Sequence, residues 1–286
     1  MPSLKTIRKR IGTVRSTQQI TRAMKMVAAA RLRRAQDAAE RARPYAEKLT
    51  ELLAAVVAGT DSEVVAHPLL AQRGVGRVDL VVVTGDRGLC GGYNANLLRR
   101  AEAFLQEHAS SAATLHVVGR KGSEHFRRRG RAPASQRTGM LTTPIAAMAG
   151  ELAGELVERF AAGKTDAVFL LFARFRSAIA QIPTIVPLLP VAPPASEGAA
   201  VDYIFEPERP ALLGLLLPRY VATLVTQALL EAAASEHGAR MTAMENATNN
   251  AADMIERLTL SMNRARQAGI TKELMEIVSG AEALRG

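Results

Sequence analysis

The chain has 286 residues, nearly half of them hydrophobic, and carries a net charge of +10 with one cysteine. That length can hold one large or two modest domains with a sizeable core. A lone Cys90 excludes an intrachain disulfide and any zinc site needing two thiolates, which fits a reducing compartment.

A first helix is predicted from about Ser3 to Val57, ending near Gly59. Within it Leu32, Ala35, Ala39, Ala42, Ala46, Leu49, Leu53 and Val56 recur at alternating steps of three and four. This is the a/d rhythm of a coiled coil, in which a 3.5-residue repeat keeps one stripe toward a partner helix. Pro44 removes a backbone bond and crowds the preceding turn, so a kink is expected there. The apolar spacing slips between Val14 and Ile20, which reads as a stutter.

Lys5, Arg8, Lys9, Arg10, Arg15, Arg22, Lys25, Arg31, Arg33 and Arg34 all precede the first acidic residue, Asp37. These ten charges equal the whole net excess, so the rest of the chain sums to about neutral. Such a stripe suits an acidic partner: nucleic acid, anionic lipid, or a protein surface rich in Asp and Glu. It contains no aromatic residue for a base to stack on, which weighs against nucleic acid. The opening MPSLKTIRKR lacks the apolar run of a secretory signal, so export is not expected. Its Arg-rich, acid-free, amphipathic character leaves a mitochondrial presequence open.

From Arg77 strands and helices alternate. Strands are predicted at 78–84, 114–119, 166–175, 182–191 and 201–207, and helices at 94–108, 121–130 and 145–163. Alternation of this kind implies an α/β layered domain with a largely parallel sheet. Residues 192–198 read as a polar, Pro-rich turn. After Pro210 a last helix begins, with Pro218 as a second kink or a break near its start. Met241, Met244, Thr248, Ala251, Ile255, Leu258, Met262 and Ala265 repeat the a/d rhythm there. The fold expected is an α/β central domain mounted on a long antiparallel coiled coil made of the two terminal helices, divided as 1–58, 59–208 and 209–286. No apolar stretch reads as long enough to span a bilayer.

Catalytic signals are missing. The run TGDRGLCGG (84–92) lies between a strand and a helix, where phosphate loops occur, but its glycines fit neither the dinucleotide fingerprint nor the Walker pattern. A tight turn using positive φ and close packing is expected instead. Cys90 has no base beside it, and His67, His108, His116, His125 and His237 show no metal spacing. Asp202 and Glu206 form a carboxylate pair that needs no catalytic explanation. No catalytic, cofactor-binding or metal residue is assigned.

Together, IRKRI, STQQITRAMKMVAAARLRRAQ, RPYAEKL, TGDRGLCGGYNANL, FRSAIAQIPTIVPLLP, DYIFEPE, LLPRYV, QALLEAAASEHGARMTAMENATNNA and NRARQAGITKELMEIVSGAEAL resemble the gamma subunit of F-type ATP synthases over almost the whole chain. The resemblance implies a noncatalytic central-stalk rotor, one copy per complex, coupling ion flow through the membrane rotor ring to ATP synthesis or hydrolysis, and regulating both. It implies no cofactor. The implied partners are the alpha and beta subunits, epsilon and the c-ring, on the cytoplasmic face of the bacterial inner membrane. It also makes the basic opening segment mature helix, with the acidic lever loops of beta as its partner. By position, Met24 and Lys25 look like the family's contact to the beta lever. Arg266 and Gln267 look like its polar contacts to the beta catch loops, and Tyr203 and Glu206 like residues facing the membrane ring. Three departures stand out: no cysteine-bearing regulatory insert of the chloroplast kind, Gly214 in the early C-terminal helix, and Gly269 where Ala or Ser is usual. The Gly269 departure should cost about 1 kcal/mol of helix stability. The reading from a different class is a basic coiled-coil adaptor for nucleic acid or anionic lipid, whose binding would weaken steeply with salt.

Overall fold

A computed structural model describes residues 3–58, 67–192, 206 and 208–283. In chain order it holds helix α1 (Leu4–Ala58), a single 3-10 turn (Pro68–Leu70), strand β1 (Arg77–Val83), α2 (Tyr93–Glu107), β2 (Ala112–Val118), α3 (Arg120–Arg128), β3 (Ser135–Arg137), α4 (Ile145–Ala161), β4 (Ala167–Ser177), β5 (Ala180–Leu189) and α5 (Arg209–Ala283). Contacts group these into two compact units, Met1–Val27 with Met241–Gly286, and Ala28–Arg240. That grouping follows which segments touch, and so differs from three consecutive segments cut at helix ends.

In the larger unit the five strands lie in the order β3-β2-β1-β4-β5. The β1/β2, β1/β4 and β2/β3 pairs are parallel, and β4/β5 is antiparallel. β1 is central because RVDLVVV is apolar on both faces and must be covered on both. Val78, Leu80 and Val82 pack with Tyr93, Leu97, Ala101 and Phe104 of α2 and Phe126 of α3. Val81 and Val83 pack on the opposite side with Leu152, Leu156 and Phe160 of α4 and with Leu53 and Val56 of α1. The first part of α5 belongs to that second layer through Leu213, Leu217, Val221, Val225 and Leu229.

Two expectations are corrected here. α5 does contain a stretch long and apolar enough, by composition, to cross a bilayer. Part of its apolar surface, at Leu213, Leu217, Val221, Val225 and Leu229, is buried in the sheet layer just described. Pro44 and Pro218 both lie inside continuous helices, so Pro218 makes no break. The strand expected at 201–207 lies outside the described residues apart from Glu206, which is exposed.

The a/d stripe is present in both helices. Leu32, Ala46, Leu49, Leu53 and Val56 are buried, with Ala35, Ala39 and Ala42 half-buried between them. In the smaller unit Met244 and Ala251 are buried, and Met241, Thr248, Ile255, Leu258, Met262 and Ala265 half-buried. The stutter is absent. Ile7, Ile11, Val14, Gln18, Thr21 and Lys25 are buried or half-buried at unbroken steps of four and three, while Ile20 is 60% exposed. The seam continues through polar residues that an apolar count passes over.

Candidate functional site

Three polar arrangements stand out among the described residues, and the first lies in the smaller unit. The Thr21 and Thr248 hydroxyls meet at 2.8 Å, and Lys25 Nζ donates to Glu245 Oε1 at 2.5 Å. Advancing four residues on one helix means retreating three on the other, so the two segments run antiparallel. Gln18, Gln19, Arg22, Thr248 and Asn249 complete a small groove of about 230 Å³ around this pair. The Lys25–Glu245 pair is a third to a half exposed, and pairs of that kind contribute only about 0.2–1 kcal/mol. Their larger effect is on register, because a misplaced partner would bury a charge against an apolar seam residue.

Second is the Gly-rich turn after β1. The Thr84 hydroxyl donates to the Val118 carbonyl, and the Gly122 amide donates back to it at 2.9 Å. Asp86 accepts from the amides of Arg120 and Gly139, and Asn94 accepts from the Gly85 amide. Positive φ occurs at Leu89 and Gly91. At Gly85 the requirement is close approach instead: an added Cβ would sit 2.9 Å from the Glu236 carboxyl carbon. Glu236 is fully buried on α5, with one oxygen held by Arg240 at 2.5 Å and the other without a partner. Burial pushes its carboxyl above the ordinary range, against the pull of Arg240. Arg240 also reaches the Gly88 carbonyl, and Tyr93 donates to the Ala232 carbonyl. The turn is therefore a clamp on α5, with its Gly85 amide held by Asn94. Cys90 is buried beside it, and burial pushes its thiol up.

The third arrangement was not visible in the sequence. Asp79, His116 and Ser135 come from adjacent strands, with His116 Nε2 3.2 Å from Asp79 and Nδ1 2.8 Å from the Ser135 hydroxyl. The order imitates a hydrolase triad. Its surroundings do not: Asp79 accepts from Nε and Nη2 of Arg159, and Ser135 accepts from Arg137, which also pairs with Glu155. Asp79 and His116 are sealed beneath α4. Burial would raise the Asp79 carboxyl, but hydrogen bonds from His116 and Arg159 hold it below its ordinary value. This network ties α4 to the sheet. Among the described residues, no group of three or more His, Cys, Asp or Glu is placed to hold a metal ion.

The expected contact residues differ in exposure. Met24 is half-buried, Lys25 is paired with Glu245, Arg266 and Gln267 are exposed, and Tyr203 lies outside the described residues. Lys5, Arg8, Lys9, Arg10, Arg15, Arg22, Arg31, Arg33 and Arg34 are exposed, and none has an acidic partner in an ion pair among the described residues.

The ATP synthase family model matches residues 3–284. The ATP synthase gamma chain of an Anaeromyxobacter species is 54% identical over 290 aligned positions, covering all of both chains. This chain belongs to the ATP synthase gamma family. The gamma chain of Pelotomaculum thermopropionicum is 50% identical, covering 99% of this chain and 100% of that one. A central-stalk and c-ring structure of Tetrahymena thermophila mitochondrial ATP synthase includes a chain 28% identical, with TM-score 0.61, covering 80% of this chain and 99% of that one. A chain of the Euglena gracilis mitochondrial ATP synthase shares the fold at 20% identity and TM-score 0.69, covering 98% and 94%. The role of this gamma-family chain is that of a rotor subunit in the central stalk, which replaces the adaptor reading.

Proposed function

We propose that the chain is a noncatalytic rotor shaft of a bacterial ATP synthase. It couples ion flow through a membrane ring to ATP synthesis or hydrolysis at an alternating alpha and beta ring, and it regulates both. It would be present as one copy, with epsilon and the c-ring as further partners, peripheral on the cytoplasmic side of the inner membrane. In this reading 1–58 and 209–286 are the coiled-coil segments and 59–208 the α/β segment.

The observation that supports it is the unpaired stripe. Arg8, Lys9, Arg10 and Arg15 are exposed on helix surface, with no acidic partner in an ion pair among the described residues. A surface of that kind attracts acidic loops without gripping any one of them, as a turning shaft requires. Met24, Lys25, Arg266 and Gln267 are the proposed contacts to the alpha/beta ring, and Tyr203 and Glu206 those to the membrane ring. Lys25 already shares its charge with Glu245, so the exposed arginines carry more of the attraction.

The test is reversal of Arg8 and Arg10 to Glu in the assembled complex. Circular dichroism should be unchanged while ATP-driven proton pumping falls. Unchanged pumping would reduce the stripe to solvated surface. Co-purification with alpha and beta subunits checks the assembly itself.

A further inference from the structure

Summing charge over residues 35–286 hides a second basic cluster. Residues 120–131 contain Arg120, Lys121, Arg127, Arg128, Arg129 and Arg131 against Glu124 alone, a local excess of +5 (six positive, one negative). Lys121, Arg128 and Arg129 of this cluster line, with Arg99 of α2, an open groove of about 540 Å³ between α2 and α3. Glu102 there is held by His125 at 2.7 Å and by Arg129, and Glu124 by Lys121 at 3.2 Å. Those pairs leave cations over. Of the lining cations, Arg99 and Arg128 are exposed, with no acidic partner in an ion pair among the described residues.

We propose that the α2–α3 groove docks an acidic segment of another protein. A polynucleotide would find no Phe, Tyr or Trp among the lining residues to stack on, and would meet the carboxylates of Glu102 and Glu124. A membrane would need an apolar rim, yet the only apolar lining residues are Ala95 and Leu98, and Leu98 is buried. Surplus arginines interspersed with paired carboxylates are what an Asp- and Glu-rich chain meets with complementary charge, and arginine forks bind carboxylates two bonds at a time. The groove lies wholly within the larger unit and does not depend on the rotor assignment.

The experiment uses the full chain in its assembled complex in native membranes. Exposed Ala95, within the groove, is replaced by photoreactive benzoylphenylalanine, and the adduct is mapped by mass spectrometry. The expected adduct is a protein segment with an excess of Asp and Glu. Its yield should fall at least about tenfold in Arg99→Glu/Arg128→Glu, since like charges facing across the groove cost more than 1.4 kcal/mol. Because neither arginine has an ion pair to lose, the fold should persist, checked by thermal melting; Arg99→Gln/Arg128→Gln is the milder substitute, with a smaller fall. An adduct only to lipid or nucleic acid, one to a segment without acidic excess, a yield indifferent to these substitutions, or no adduct would overturn the proposal.

Discussion

Gly85 and Gly88 share one turn and have opposite surroundings. A Cβ at Gly85 would enter the Glu236 carboxyl group at 2.9 Å, whereas one at Gly88 meets nothing within 4 Å. Glu236 is fully buried and held by Arg240, so it has little room to retreat. Gly85→Ala should therefore destabilise the chain by about 1–3 kcal/mol through overpacking, while Gly88→Ala stays within about 0.5 kcal/mol. Urea denaturation of the two variants checks this, and equal midpoints would mean the clamp yields. Nearby His237 lends itself to a pH argument. It is buried with Nδ1 unpartnered, and burial, then Arg240 and Arg31, lower its pKa from 6.5 to about 4. The folded chain refuses a proton that the unfolded chain accepts, so stability is full above about pH 6.5 and declines as pH falls toward 4. The loss reaches up to about 3 kcal/mol. His237→Gln should flatten the difference in urea stability between about pH 7 and pH 5; an undiminished slope would place the titration elsewhere. The Asp79 carboxylate acts lower: its depressed pKa stabilises above about pH 4 and is lost below.

At the scale of elements, what was legible followed periodicity. The long apolar runs of β1 and β4 and the 3.6-residue rhythms of α2 and α4 were readable because burial selects their spacing. β3 was not, since Ser135–Arg137 is three polar residues whose strand state comes from pairing with His116–Val118. The seam through Gln18, Thr21 and Lys25 escaped for a related reason: its partners, Glu245 and Thr248, are more than two hundred residues away and polar. The Asp79–His116–Ser135 network likewise depends on strand order, which spacing alone does not reveal. Of the site, the motifs of the turn were legible, but the identity of its opposing group, Glu236, was not. The two helical glycines of α5 allow a quantitative check. Neither Gly214 nor Gly269 has a heavy atom within 4 Å of an added Cβ, and neither has a positive φ. Replacing each with Ala should stabilise by about 0.5–1 kcal/mol, from helix propensity and a less flexible unfolded chain. Calorimetry reads this directly; a lowered melting temperature would show that the space around either site is filled.

For the molecule as a whole, the question is whether Lys25 serves the helix pair or a partner, and charge exchange separates the two. Lys25→Glu would place a carboxylate beside Glu245, removing a contribution of about 0.2–1 kcal/mol and adding repulsion. Thermal stability and ATP-driven pumping should both fall. Adding Glu245→Lys restores opposite charges across the seam, so the melting temperature should recover. Pumping should not, because the proposed acidic partner would meet a carboxylate at position 25 where it had met an ammonium. ATP hydrolysis measured on the same complexes distinguishes lost coupling from lost assembly: hydrolysis should be retained while pumping per ATP stays low. Recovery of pumping along with stability would assign Lys25 to register alone and leave the attraction of acidic loops to Arg8, Arg10, Arg15 and Arg22.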